Sequence, residues 1–196
     1  MTVRSRFCLT AANKSANSNT AAIAQNAKPV ADAEIAVLET EDFGTIKIEL
    51  YSNIAPKMVA RFKELANEGF YNGTTFHRVD PTYGIAQGGD PNSKDDNPAN
   101  DGTGRSGTPN VASEFSDIPY DTGILGAAST AAPDSQNCQF FIMTKRQPAF
   151  DKRYTVFGKV IEGQNNVNTI AMAPVAPGST RPDPKITIKT VTIQKR

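Results

Sequence analysis

The feature that most restricts the fold is the length and spacing of the apolar runs. Ile46, Ile48 and Leu50 alternate with Lys47 and Glu49, the period of a strand with one face on a core and the other toward solvent. Ile35-Ala36-Val37-Leu38 lies just upstream, and Asp42-Phe43-Gly44 between them reads as a hairpin turn. Strand-like runs recur at Gln139 to Thr144, Tyr154 to Val160 and Lys185 to Gln194. Only two stretches carry a helical period. In the first, Pro56 suits the opening turn, Val59, Phe62, Leu65 and Ala66 share a face, and Gly69 can end the helix. In the second, Asn165 to Met172, Val167, Ile170 and Ala171 fall on one side. Many short strands with two helices predict a mainly β protein, a closed antiparallel barrel and not a parallel α/β sheet.

A chain of 196 residues is long enough for one well-cored domain and one site. Lys and Arg total 21 against 20 Asp and Glu, a net charge of +1, so there is no surplus charge to hold nucleic acid or an anionic membrane. No apolar run approaches the roughly 18 residues of a membrane span. Residues 1–33 are rich in Ala, Asn, Ser and Thr with no acidic residue before Asp32, and read as a disordered or targeting-like tail before a domain at 34–196. Arg4 and Arg6 precede the short apolar Phe7-Cys8-Leu9, and Ala22-Ile23-Ala24 has the small residues of a cleavage site, but no apolar segment of signal-peptide length lies between. A cytoplasmic monomer is the favoured reading, with export or organelle targeting left open by the tail. The two cysteines, Cys8 and Cys138, form no disulfide framework and no metal-ligand spacing. Cys138 reads as a free buried thiol.

Residues 87–113 form a Gly/Asn/Asp/Pro-rich stretch too long for a simple connection. Within it Gly102-Thr103-Gly104-Arg105-Ser106-Gly107 spells a dinucleotide-loop motif, but no strand precedes it and Thr108-Pro109 follows, so it reads as a glycine loop. Asp95, Asp96 and Asp101 lack the spacing and closing glutamate of a calcium loop. The single histidine, His77, reads as a satisfied structural residue, and its pairing with Cys138 in a cysteine hydrolase rests on residue type alone. Ala173 to Lys185 is a Pro-rich surface connection.

Five segments occur in order: Phe76-His77-Arg78-Val79, Gln87-Gly88-Gly89-Asp90, Ile124-Leu125-Gly126-Ala127-Ala128, Gln139-Phe140-Phe141-Ile142 and Tyr154-Thr155-Val156-Phe157-Gly158-Lys159-Val160. Together they resemble the cyclophilin family of peptidyl-prolyl cis/trans isomerases from about Ile35 to Gln194. The resemblance implies an eight-stranded antiparallel barrel capped by two helices. By motif position it implies that Arg78 is the catalytic arginine and that Gln87 helps hold it and the substrate carbonyl. Gln139 supplies a polar contact, Phe141 the floor of a proline pocket, and Phe150 an apolar wall. Tyr154 falls where many members carry histidine. The segment between Arg78 and Gln87 is one residue longer than the commonest spacing, which makes Tyr83 the candidate for its aromatic position, with Ile85 as apolar neighbour. The segment from Leu125 to Gln139 is also one residue longer, and Ala128, Ser129 and Thr130 are candidates for pairing with the peptide backbone. Ala149 stands where drug-sensitive members present tryptophan, so weak cyclosporin binding is expected.

Amide resonance sets a barrier of about 18–20 kcal/mol to rotation about an X–Pro bond. A guanidinium donating to the prolyl nitrogen lone pair favours the twisted amide, and arginine suits this because it is always charged and its fork is rigid. No covalent step, cofactor or metal is needed. The expected partners are proline-containing peptides and unfolded or folding proteins. A module that holds proline segments without turning them over is the alternative, although it has no evident need of the arginine.

Overall fold

The computed structural model describes residues 25–196. Cys8, the basic residues Arg4 and Arg6 and the cleavage-like Ala22-Ile23-Ala24 lie outside the described residues. Eight strands and two α-helices follow in the order β1 (Glu34–Thr40), β2 (Thr45–Leu50), α1 (Pro56–Asn67), β3 (Arg78–Asp80), β4 (Ile85–Gly88), β5 (Ile124–Ala127), β6 (Phe140–Met143), β7 (Val156–Glu162), α2 (Gln164–Ala171) and β8 (Ile188–Lys195). All neighbouring strands are antiparallel, in the spatial order β3-β4-β6-β5-β7-β2-β1-β8.

The expected closed barrel is corrected to an open, curled sheet. Strands β3 and β8 are its two edges and form no ladder with each other. The reason lies in β3, which is three residues long and whose outer edge is taken by the Pro-rich segment: the Val79 N–H donates to Thr180 O at 2.7 Å. Only the chain just before β3 reaches β8, through a Thr75–Thr187 bridge and the bonds Phe76 N to Ile186 O and Gly73 N to Ile188 O, each 2.9 Å. The segment after Ala173 thus does more than connect. It also carries Arg181, whose Nε lies 2.9 Å from Asp101 Oδ2 in the long loop.

The hairpin over Asp42-Phe43-Gly44 forms as expected, with Ile35 opposite Glu49 and Leu38 opposite Ile46. Helix α1 starts at Pro56 and buries Met58, Val59, Phe62, Leu65 and Ala66. Its first amides are capped from a distance by the Glu114 carboxylate, which accepts from Lys57 N at 3.1 Å and Met58 N at 3.0 Å, a favourable charge at a helix N-terminus. Gly69, at a φ of +68°, takes the left-handed conformation that turns the chain out of the helix. Helix α2 buries Val167, Ile170 and Ala171.

Side-chain alternation splits the apolar residues into two clusters on opposite faces of the sheet. The inner one takes Ala86, Leu125, Ala127, Phe140, Ile142 and Phe157 together with the buried faces of both helices. The outer one takes Ile85, Ile124, Phe141, Met143 and Val156, joined by Tyr51, Ile54 and Tyr120. Asp32, just before β1, ties the chain to β2, the turn after it and α1: its N–H donates to Leu50 O at 2.9 Å, and its carboxylate accepts from Ser52 Oγ at 2.6 Å and Lys63 Nζ at 2.7 Å.

Candidate active site

The site lies on the outer face, where register places four residues in one row. Arg78 on β3 is opposite Gln87 on β4, Gln87 is opposite Phe141 on β6, and Phe141 is opposite Gly126 on β5. Directly opposed residues of antiparallel strands point to the same face. Residues 78 and 87 are far enough apart in sequence to flank a turn, and their pairing across it sets the polar half of the site.

A chain of amide hydrogen bonds fixes that half. Arg78 Nη1 donates to Gln87 Oε1 at 3.3 Å, Gln87 Nε2 donates to Gln139 Oε1 at 3.1 Å, and Gln139 Nε2 donates to the carbonyls of Gly102 and Gly104 at 3.0 and 3.1 Å. Each amide has its oxygen committed to the previous donor, so the orientation of both glutamines follows from the arginine and the loop. Arg78 Nη2 also lies 3.3 Å from Asp80 Oδ2. These two bonds use two of the five guanidinium donors, and the side chain is 39% exposed, so donors remain to meet a ligand.

The apolar half is built from aromatic edges. Phe141 and Ile85 are almost fully buried, with Phe150 and Tyr154 half-buried over them. The Phe141 ring meets Phe150 at 5.7 Å and Tyr154 at 5.5 Å, both edge to face, and Phe150 and Tyr154 lie 5.0 Å apart. Such pairs add about 0.5–1.5 kcal/mol each beyond burial. Tyr83 stacks on Phe150 at 5.9 Å while remaining 44% exposed. The longer turn brings it there: Asp80 Oδ1 accepts from Thr82 N and Tyr83 N at 3.0 and 3.1 Å, Gly84 N closes on Asp80 O at 2.7 Å, and Gly84 adopts a φ of +72°. Past this turn Ile85 lies opposite Met143 and Gln87 opposite Phe141.

Ala128, Ser129 and Thr130 follow the end of β5. Ala128 N still donates to Gln139 O at 2.9 Å and Thr130 N to Ser135 Oγ at 2.9 Å. All three line an open cavity of about 350 Å³ beside the row, together with Gln87, Gln139 and the loop Gly102 to Arg105. Of the three glycines in that loop's motif, Gly104 serves close packing: a Cβ there would strike Asp90 Oδ1 and come within 2.9 Å of Pro91.

His77 departs from its expected role. It is buried, but neither ring nitrogen has a hydrogen-bond partner among the described residues. Burial holds its pKa below 6.5 against the opposing pull of Asp90 and Asp101. Burial likewise pushes the Cys138 thiol up to about 12, which leaves no thiolate for a cysteine nucleophile. Three members of the site were not singled out by sequence. Asp80 both ties Arg78 and shapes the turn, and Asp-Pro-x-x-Gly was its local signal. Tyr120 stacks on Phe141 at 5.8 Å from a distant loop, and Gly126 faces Phe141 across the ladder. Neither of these has a local signal.

An antiparallel sheet curled around an aliphatic and aromatic core, with two helices and an arginine, two glutamines and an aromatic floor on its outer face, defines a class. The chain belongs to the cyclophilin family: the family model of the cyclophilin type peptidyl-prolyl cis-trans isomerases matches residues 35–193. A probable peptidyl-prolyl cis-trans isomerase of Brucella suis is 42% identical over 144 residues, 71% of this chain and 73% of the relative. The peptidyl-prolyl cis-trans isomerase-like 1 protein of Mus musculus is 39% identical over 141 residues, 69% of this chain and 78% of the relative. Among solved structures, a cyclophilin type isomerase of Cryptosporidium parvum, determined in the presence of the dipeptide Ala-Pro, superposes with a TM-score of 0.73 at 30% identity, covering 83% of this chain and 99% of that one. The protein is a cyclophilin-type peptidyl-prolyl cis-trans isomerase.

Proposed function

We propose that Arg78 drives isomerisation by donating a guanidinium N–H to the prolyl nitrogen, in proline-containing peptides and in unfolded or folding proteins. The observation that carries this reading is the hydrogen-bonded row Arg78–Gln87–Gln139 standing beside the Phe141 floor. The proline ring lies against Phe141, Ile85 and Phe150, with Tyr83 and Tyr154 at its rim. Gln87 and Gln139 hold the carbonyls that flank the bond, and the backbone beyond Ala127 pairs with the rest of the peptide.

As the amide twists, the nitrogen lone pair leaves conjugation and becomes a hydrogen-bond acceptor. Arg78 therefore binds the twisted state more strongly than either planar state, which is differential transition-state binding. No bond is made or broken other than hydrogen bonds. Each 1.4 kcal/mol or so removed from the barrier is about tenfold in rate. Asp80 and Gln87 hold the guanidinium in place before substrate arrives, so little ordering remains to be done on binding.

The test is exchange spectroscopy on an Ala-Pro peptide with Arg78→Ala. Turnover should fall by about two to three orders of magnitude, the range for removing a donor to developing charge, while the thermal midpoint stays unchanged. Undiminished exchange by the folded variant would exclude Arg78 from the mechanism.

A further inference from the structure

Gly126 sits in the middle of β5, fully paired on both sides, with ordinary extended backbone that any residue adopts. The register shift beside it comes from Val156 and Phe157 on β7 and asks for no positive φ at residue 126. A glycine inside a strand weakens it, so one that the backbone does not require marks a close approach. That approach is by Phe141. A Cβ built on Gly126 would come within 2.8 and 2.9 Å of Phe141 Cε2 and Cε1, and closer still to Cζ.

The contact is at the far end of the ring, so Phe141 leans across the ladder over β5. In the row Arg78–Gln87–Phe141–Gly126, leaning toward Gly126 is leaning away from Gln87 and Arg78. Adjacent strands are about 4.8 Å apart, and the ring tilt widens the gap between the guanidinium row and the floor. The ring has little freedom elsewhere. Tyr120, Phe150 and Tyr154 stand against it at centroid distances of 5.8, 5.7 and 5.5 Å, so a side chain at 126 would drive it back toward Gln87.

We infer that Gly126 is a positioning residue that sets the width of the proline slot, and with it the size of imino-acid ring the enzyme accepts. The inference rests on the reading of Phe141 as the pocket floor. Its discriminating probes are the blocked dipeptide Ala-Pro and its six-membered-ring homologue Ala-pipecolate, titrated by NMR into the same preparation. The ratio of their dissociation constants does not depend on the fraction folded. Gly126→Ala should raise that ratio, pipecolate over proline, at least about tenfold, the usual discrimination for one methylene in a tight apolar pocket. An unchanged or lowered ratio overturns the inference.

Should Gly126→Ala fail to fold, Phe141→Leu combined with it removes the ring tip that the new methyl strikes. Recovery of folding in the double variant supports the clash, whereas a double variant as unfolded as the single overturns it, provided Phe141→Leu alone folds. If neither peptide shifts the amide signals of Gln87, Phe141 or Gly126 in the unaltered protein, the pocket reading itself fails along with the inference. Shifts in those signals with an unmoved ratio remove the inference alone.

Discussion

The inner and outer aromatic clusters pack at the same distances but serve opposite ends. Inside, Phe62 meets Tyr71, Phe140 and Phe157 at 5.2 to 5.7 Å, and all four are shielded from solvent. Outside, Phe150 meets Phe141, Tyr154, Tyr83 and Tyr120 at 5.0 to 5.9 Å, yet Phe150 and Tyr154 are only half-buried and Tyr83 is exposed. Strand β6 feeds both, Phe140 to the interior and Phe141 to the site. Ring contact is therefore not what separates core from site. What separates them is which face of the sheet a residue takes, and whether anything covers that face.

The sharpest way to break this comparison is to delete one ring from each cluster. Phe140→Ala should cost about 3–5 kcal/mol, the usual range for a fully enclosed phenylalanine, whereas Phe150→Ala should cost clearly less because solvent already reaches it. Urea unfolding of both variants compares them, and equal losses would mean that the outer cluster is a second core. Arg78→Ala comes next, as a loss of about two to three orders of magnitude in turnover with no loss of stability. That pattern inverts the one expected for Phe140→Ala.

A smaller effect is expected beside the outer cluster, at Ala149, the neighbour of Phe150. It is exposed in the turn Pro148–Phe150 and carries no large ring where drug-sensitive members of the family present tryptophan, so cyclosporin should bind weakly. A submicromolar dissociation constant by calorimetry would contradict this. The smallest effect is a pH dependence at His77, between the inner Phe76 and the outer Arg78. Its folded pKa lies below the ordinary 6.5, with burial the main cause, so the unfolded chain binds more protons than the folded one at acid pH. The stability from keeping the ring neutral is whole above 6.5 and falls as pH drops below it. The thermal midpoint should decline on acidification through that window, and His77→Asn should flatten the decline.

Much of this was legible because local chemistry and pattern agree. Alternation marked β2 and the hairpin, Pro56 and Gly69 bounded α1, and the ordered segments, by their resemblance to the family at near-family spacing, pointed to Arg78, Gln87, Gln139 and Phe141. The loop through Tyr83 left its aromatic position open in the sequence, although Asp80, Pro81 and Gly84 are turn residues and the structure closes a turn there between β3 and β4. The open edge was not legible. Whether β3 meets β8 depends on where the Pro-rich segment lies, and that is decided by pairing between residues about a hundred positions apart, Val79 and Thr180. His77 was read as satisfied because a lone sequence position says nothing about the partners that other segments bring to it.

The amino-acid sequence by itself marked β1, β2, β6, β7, β8 and both helices, because periodicity, capping and turn chemistry act over a few residues. The family and the candidate residues Arg78, Gln87, Gln139 and Phe141 were legible through the resemblance of the ordered segments. Only the tertiary structure decided that Tyr120 backs the floor, that Asp80 ties the arginine, that the sheet stays open and that Gly126 is empty space which Phe141 fills. Those facts depend on which side chains are brought together across the ladder from distant segments, and no local pattern records that.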